Sequence, residues 1–175
     1  MKTKKYELVA EKSIEYFGLK LFRIRALISF GVVSAGEEGG FVESEKNVDQ
    51  SGNAWVYGDA RVSGNAHVSG DARVSGDARV SGNAQLLWVS KVGGELGVLT
   101  AFRNSFGGIT VTRGCFIGTL DEFRAAVIKK HGGTLHEKGY LGLANYIEWH
   151  FTELHPLGAG DIPLGLKAEV SRSKI

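Results

Sequence analysis

Cysteine is nearly absent: Cys115 is the single one in 175 residues. That excludes an intrachain disulfide framework and a cysteine-based zinc cage. Proline is almost as scarce, with Pro156 and Pro163 both near the C-terminal end. No segment reaches the roughly 18 apolar residues of a membrane helix. The basic start, Met1-Lys2-Thr3-Lys4-Lys5, runs into Tyr6-Glu7 and not into an apolar stretch, so it does not read as a signal peptide. An excess of one charge is missing too. The 21 basic and 19 acidic residues are mixed along the chain, for a net charge of +2. This balance argues against nucleic acid and against a membrane as partner. A soluble protein of the cytoplasm is the simplest expectation.

Glycine, by contrast, is plentiful at 25 residues, and about a quarter of it lies in one stretch. Residues 52–87 are six unbroken copies of a six-residue unit. Glycine opens each unit at 52, 58, 64, 70, 76 and 82, followed by Asn or Asp. Alanine recurs at 54, 60, 66, 72, 78 and 84, and an aliphatic residue follows two positions later. A glycine in every unit excludes a helix. A flexible linker would not hold valine at a fixed phase. The strict short period predicts a coiled β-solenoid whose core is Val56, Val62, Val68, Val74, Val80 and Leu86. The Asn or Asp after each glycine reads as turn chemistry, since both tolerate turn conformations and bond nearby backbone N–H groups.

The flanks carry other signals. Short strands are expected at 5–9 and 19–28, with Gly18 at the turn and Arg23 and Arg25 on one solvent face. Glycines make 31–41 a loop, and 41–48 an irregular lead-in. Residues 1–50 are read as an N-terminal β cap, 51–104 as the repeat with its closing strands. Residues 105–155 are read as strands plus two helices, and 156–175 as an irregular tail. A cap covers strand edges that would otherwise pair with another molecule. Thr119-Leu120-Asp121-Glu122 is a capping box opening a helix to about Lys130, ended by Gly132-Gly133. A second helix is expected from about 137 to 152.

The run Val68-Ser69-Gly70-Asp71-Ala72-Arg73 resembles the hexapeptide repeat of left-handed parallel β-helix proteins. In that family an aliphatic residue points into a triangular prism, a small residue four later fills the corner side, and three hexads make a coil. The resemblance implies two coils. Val56 would stack on Val74, Val62 on Val80, Val68 on Leu86, Asp59 on Asp77 and Arg61 on Arg79. Interleaved aspartates would neutralise the arginines. The fold expected is mainly β: a short left-handed parallel β-helix with an N-terminal β cap and a C-terminal α/β element with two helices. Six aliphatics are few against the entropy of ordering the repeat, so flanking elements or a neighbouring chain must contribute. Family members are commonly trimers, so the resemblance implies a homotrimer.

A wider resemblance covers most of residues 20–150. Arg23-Ile24-Arg25-Ala26-Leu27, then Ala35-Gly36 with Gly39-Gly40-Phe41-Val42-Glu43, then Gly52-Asn53-Ala54-Trp55-Val56, are similar to the N-terminal half of a group of phage and prophage proteins. Residues 108–123, Gly-Ile-Thr-Val-Thr-Arg-Gly-Cys-Phe-Ile-Gly-Thr-Leu-Asp-Glu-Phe, resemble a C-terminal segment of such proteins. The group has no shared established activity, so no active-site residues carry over.

Hexapeptide-repeat acyltransferases use a histidine base with acetyl-CoA between prisms, and that resemblance makes His67 the candidate base. His67 fills the outward slot held elsewhere by Trp55, Arg61, Arg73, Arg79 and Gln85, which reads as a surface position. His131, His136, His150 and His155 lack the i, i+4 pairing of a helical zinc site, so no metal is expected. Cys115 is expected to be a buried small hydrophobe. No cofactor is expected, and Gly36, Gly39 and Gly40 are not a phosphate loop. The leading expectation is a non-enzymatic phage accessory protein in the host cytoplasm, evading host defence by sequestering a nucleotide signal or blocking a host protein. The alternatives are an acetyl-CoA acyltransferase and a virion structural or assembly protein. A small anion would be held by Arg23, Arg25, Arg103 or Arg113 with Trp88 or Phe106, where a prism edge meets a neighbouring chain's cap or helices.

Overall fold

A computed structural model describes residues 3–76, 78–82 and 85–157. The expected Asp59–Asp77 stack and most of the expected tail lie outside the described residues. Eleven strands and two α-helices are assigned among the described residues. The N-terminal elements are β1 (Tyr6–Tyr16), β2 (Leu19–Ala26) and β3 (Glu38–Val42). The repeat contributes β4 (Trp55–Val56), β5 (Arg61–Val62), β6 (Arg73–Val74) and β7 (Arg79–Val80). After it come β8 (Leu86–Val92), β9 (Gly97–Arg103), β10 (Ile109–Arg113), β11 (Phe116–Thr119), α1 (Leu120–His131) and α2 (Leu135–Trp149). The protein is thus mainly β with two helices.

In the repeat, alanine and valine alternate with one outward residue, so each short strand buries two small side chains. Ala54, Val56, Ala60, Val62, Ala66, Val68, Ala72, Val74, Ala78 and Val80 are all buried in one core. Strands eighteen residues apart pair in parallel: Trp55 with Arg73 and Val56 with Val74, Arg61 with Arg79 and Val62 with Val80. Val48 bridges Val68 in parallel on another row. The expected Val56–Val74 and Val62–Val80 stacks are therefore present.

The N-terminal segment does more than cover an edge. One mixed sheet runs β1-β2-β3-β5-β7. Its first two pairs are antiparallel and its last two parallel, so the sheet crosses the expected boundary at residue 50. Three expectations are corrected here. β1 extends to Tyr16, because a bulge between Val9 and Ser13 lets it follow β2 to the turn. Gly39 and Gly40 lie in β3 and not in a loop. They approach the repeat so closely that a Cβ on Gly40 would meet Ala60 O at 2.6 Å. Trp55 points away from the repeat's interior but is fully buried. The rings of Phe30 at 5.3 Å and Tyr6 at 5.9 Å cover it.

β8 to β11 form an antiparallel meander in the order β11-β10-β9-β8. β9 is covered on both faces, by period two. Phe102 enters the core of the repeat. Leu99 and Ala101 join a second core with Phe123, Val127, Ala144, Ile147 and Phe151 of the helical layer. Thr119 caps α1 as its sequence requires: its Oγ1 accepts from Glu122 N at 3.2 Å, and Glu122 accepts from Thr119 N at 2.7 Å. α2 starts two residues earlier than expected and ends in a π-helical turn, His150–Leu154. The buried Arg103 donates to Phe151 O in that turn, which offers a carbonyl acceptor where the helical ladder loosens.

Candidate functional site

A cleft of about 340 Å³ opens where the β4–β6 side of the repeat meets the meander. That volume lies at the lower end of small-ligand sites. Asn53, Asp71 and Arg73 line it from the repeat; Gly97, Thr100, Thr112 and Arg113 line it from β9 and β10. The solenoid period builds the first wall. Asn53 and Asp71 hold the same phase one coil apart, and Asn53 Nδ2 donates to Asp71 Oδ1 at 2.9 Å. Arg73 follows two residues later on β6, and its backbone N–H donates to Thr100 Oγ1 at 3.2 Å. Among the described residues the Arg73 guanidinium has neither a hydrogen bond nor an ion pair.

β10 supplies the opposite cation. The Arg113 side chain is only 10% exposed. Its Nη2 donates to Val92 O at 2.8 Å, and its Nη1 lies 3.9 Å from the Glu95 carboxylate. Its Nε is buried with no hydrogen-bond partner among the described residues. Gly97 makes room for this guanidinium, since any Cβ there would collide with it. Two cations from segments far apart in sequence thus line one recess with two threonines, an amide and the Asp71 carboxylate, which the Asn53 amide engages. The arrangement suits an oxyanion, which accepts several charge-assisted hydrogen bonds at once.

Arg113 is the one member of the expected anion set that lines this cleft. Arg23 donates to Gly39 O at 2.8 Å, pairs with Asp59 at 3.0 Å and lies over the Phe41 ring. Arg25 pairs with Glu7, which raises the Arg25 pKa. Arg103 is 8% exposed and donates to Gly107 O at 2.9 Å; burial lowers its pKa. Trp88 lies against Gly70, leaving no space for a Cβ there. Phe106 is 73% exposed in the β9–β10 turn. Within one chain these residues do not converge.

His67 is exposed, with Nδ1 2.7 Å from Lys46 O. The C-terminal histidines fall in two ring pairs, His131 with His136 at 5.8 Å and His150 with His155 at 4.7 Å. Among the described residues no group of three or more His, Cys, Asp or Glu side chains could hold a metal ion. Cys115 is exposed, against the expectation of burial, because it falls in the turn between β10 and β11.

Sequence reasoning missed Asn53, Asp71, Arg73, Thr100 and Thr112 as partners. A signal existed for Arg73. Eighteen-residue spacing sets it beside Trp55, on a different side of the coil from Arg61 and Arg79. Nothing local says that β9 crosses that side.

A family model for the YdcK beta solenoid repeat matches residues 54–70 and 72–87. The repeat is a β-solenoid repeat. The match agrees with the parallel pairs at eighteen-residue spacing and stops at the start of β8. No curated protein matches the chain.

Proposed function

We propose that this chain is a non-enzymatic accessory binding protein that captures a phosphate-bearing small molecule in the cleft between its repeat and its meander. The observation that carries this reading is the placement of Arg73 and Arg113 on one recess, Arg73 having no internal counterion among the described residues. The Arg73 guanidinium fork matches phosphate geometry, and Arg113, whose Nη atoms face Val92 O and the Glu95 carboxylate, adds positive charge on the opposite wall. The resemblance to phage and prophage proteins makes a nucleotide signal of the host cell the ligand class, with sequestration as the mode of action. The scaffold proposed is a short left-handed parallel β-helix, assembled as a homotrimer. The parallel rows at eighteen-residue spacing support coiling of the repeat; the handedness and the homotrimer rest on the resemblance.

Calorimetry and thermal-shift measurements against mononucleotides and cyclic dinucleotides test the reading. Wild type binds at least one. Arg73→Gln or Arg113→Gln weakens that binding roughly ten-fold or more, the equivalent of a lost hydrogen bond to a charged group. Failure of every nucleotide to bind, with a host protein recovered in a specific pulldown, refutes sequestration and establishes a protein-blocking role.

A further inference from the structure

A second cationic feature lies on another side of the solenoid, away from the cleft. Arg61 and Arg79 are register partners on the parallel strands β5 and β7. Neighbouring strands run about 4.8 Å apart, so two like charges project side by side. The nearest acid in the described sequence, Asp59, is engaged by Arg23 at 3.0 Å. Among the described residues neither Arg61 nor Arg79 has a carboxylate partner, and Arg61 Nε is buried without a hydrogen bond. Arg79 Nη1 donates only to Ala78 O, at 2.9 Å.

The tip of the β1–β2 hairpin covers this pair. β2 pairs with β3 only from Phe22 onward, so the tip extends past that sheet edge. It brings Tyr16 over both guanidinium groups, with ring distances of 4.3 Å to Arg61 and 5.7 Å to Arg79. The next residue, Phe17, is the first of two positive-φ turn residues, at φ 49 before Gly18 at φ 78. That turn prefers Asn or Gly, and an aromatic there is strained. Phe17 is nevertheless 64% exposed, with its ring 4.3 Å from that of Tyr16. A flat apolar surface is thus held out beside an arginine pair that has no carboxylate partner among the described residues.

We infer that the hairpin tip and the Arg61–Arg79 pair form a second binding site, for a nucleotide. Its phosphates bridge the two guanidinium groups and its base lies on Phe17. Stacking on an aromatic ring tolerates any base, and the arginine pair supplies the charge that the phosphates meet. The site stands on residues separate from those of the cleft.

ATP and pyrophosphate titrations by calorimetry at low ionic strength, on wild type and single variants, test it. Arg79→Gln weakens ATP binding at this site about ten-fold or more, whereas Arg124→Gln, at an ion pair with Glu148 in the helical layer, leaves it unchanged. Phe17→Ser removes the preference for ATP over pyrophosphate and leaves pyrophosphate binding intact. Because Arg61 is partly enclosed, Arg79→Gln carries the main test, and its melting temperature gives a second readout. Relief of like-charge repulsion raises the melting temperature of unliganded Arg79→Gln above wild type, and added pyrophosphate stabilises wild type alone. ATP binding that survives Arg79→Gln and is lost in Arg73→Gln overturns the inference and leaves the cleft as the nucleotide site. Absence of ATP binding to wild type overturns it as well.

Discussion

Replacing Gly52 and Gly58 by alanine, one at a time, separates two costs that the repeat hides under one residue type. Both glycines open a repeat unit and both adopt left-handed backbone, φ 66 and φ 60. A Cβ in that region costs about 1–2 kcal/mol. Loss of unfolded-chain freedom returns about 0.4–1 kcal/mol. At Gly58 nothing lies within 4 Å of the added Cβ, so the net loss there is about 1 kcal/mol. At Gly52 the same atom would lie 2.7 Å from Gly70 O. That carbonyl cannot swing away, because it accepts from Asn53 N at 2.9 Å. Forcing the coils apart adds the overpacking cost, about 1–3 kcal/mol. Gly52→Ala should therefore lose about 2–4 kcal/mol in total. Denaturant unfolding of the two variants at equal protein concentration gives the difference. For a chain of this size each kcal/mol lowers the melting temperature by about 2–4 °C. Gly58→Asn, with a side chain that tolerates left-handed backbone, should lose less than Gly58→Ala. Equal losses at positions 52 and 58 would refute the claim that coil-to-coil contact selects glycine at 52.

Tyr6 gives a pH test. Its buried hydroxyl lies 2.9 Å from both Glu45 O and Val48 O, which share its one proton, and burial pushes its pKa well up from 10.0. The unfolded tyrosine ionises near its ordinary value while the folded one holds its proton. This contribution is therefore complete below pH 10 and declines as the pH rises above it. Tyr6→Phe should cost about 1–2 kcal/mol at neutral pH and show a shallower alkaline loss in urea titrations. Hydrogen bonds from Thr119 lower the pKa of Glu122, so the capping box stabilises above the ordinary value of 4.5 and weakens as the pH falls through the lowered one. Thr119→Ala should cost about 1 kcal/mol and flatten that acid limb, read by circular dichroism. The chain should sediment as a trimer at micromolar concentration; a monomer in analytical ultracentrifugation would defeat the assembly proposed.

Much of the fold was legible where a pattern is local. The glycine phase, the alternation of alanine and valine, the capping box at Thr119 and the strand runs after Leu86 all lie within a few residues of the structure they produce. β3 was hidden because Gly39 and Gly40 look like loop residues until the repeat is seen pressing on them. The candidate site was legible only through Arg113, as a charge expected where a prism edge meets a neighbouring chain, whereas the cleft lies between the repeat and the meander of one chain. Its partner Arg73 looked like one more exposed repeat position.

The sequence alone determined the solenoid repeat, because a six-residue period commits the described alanines and valines of the repeat to the same side of the backbone. It could not rank the outward positions, which are equivalent by period. Tertiary structure decided those. Phe30 and Tyr6 close over Trp55, Tyr16 settles on Arg61 and Arg79, and Arg73 is left facing β9 and β10. The physical reason is that each of these environments is made by a segment distant in sequence, the N-terminal hairpin and its following loop on two positions and the meander on the third. No repeat unit encodes where those segments cross it.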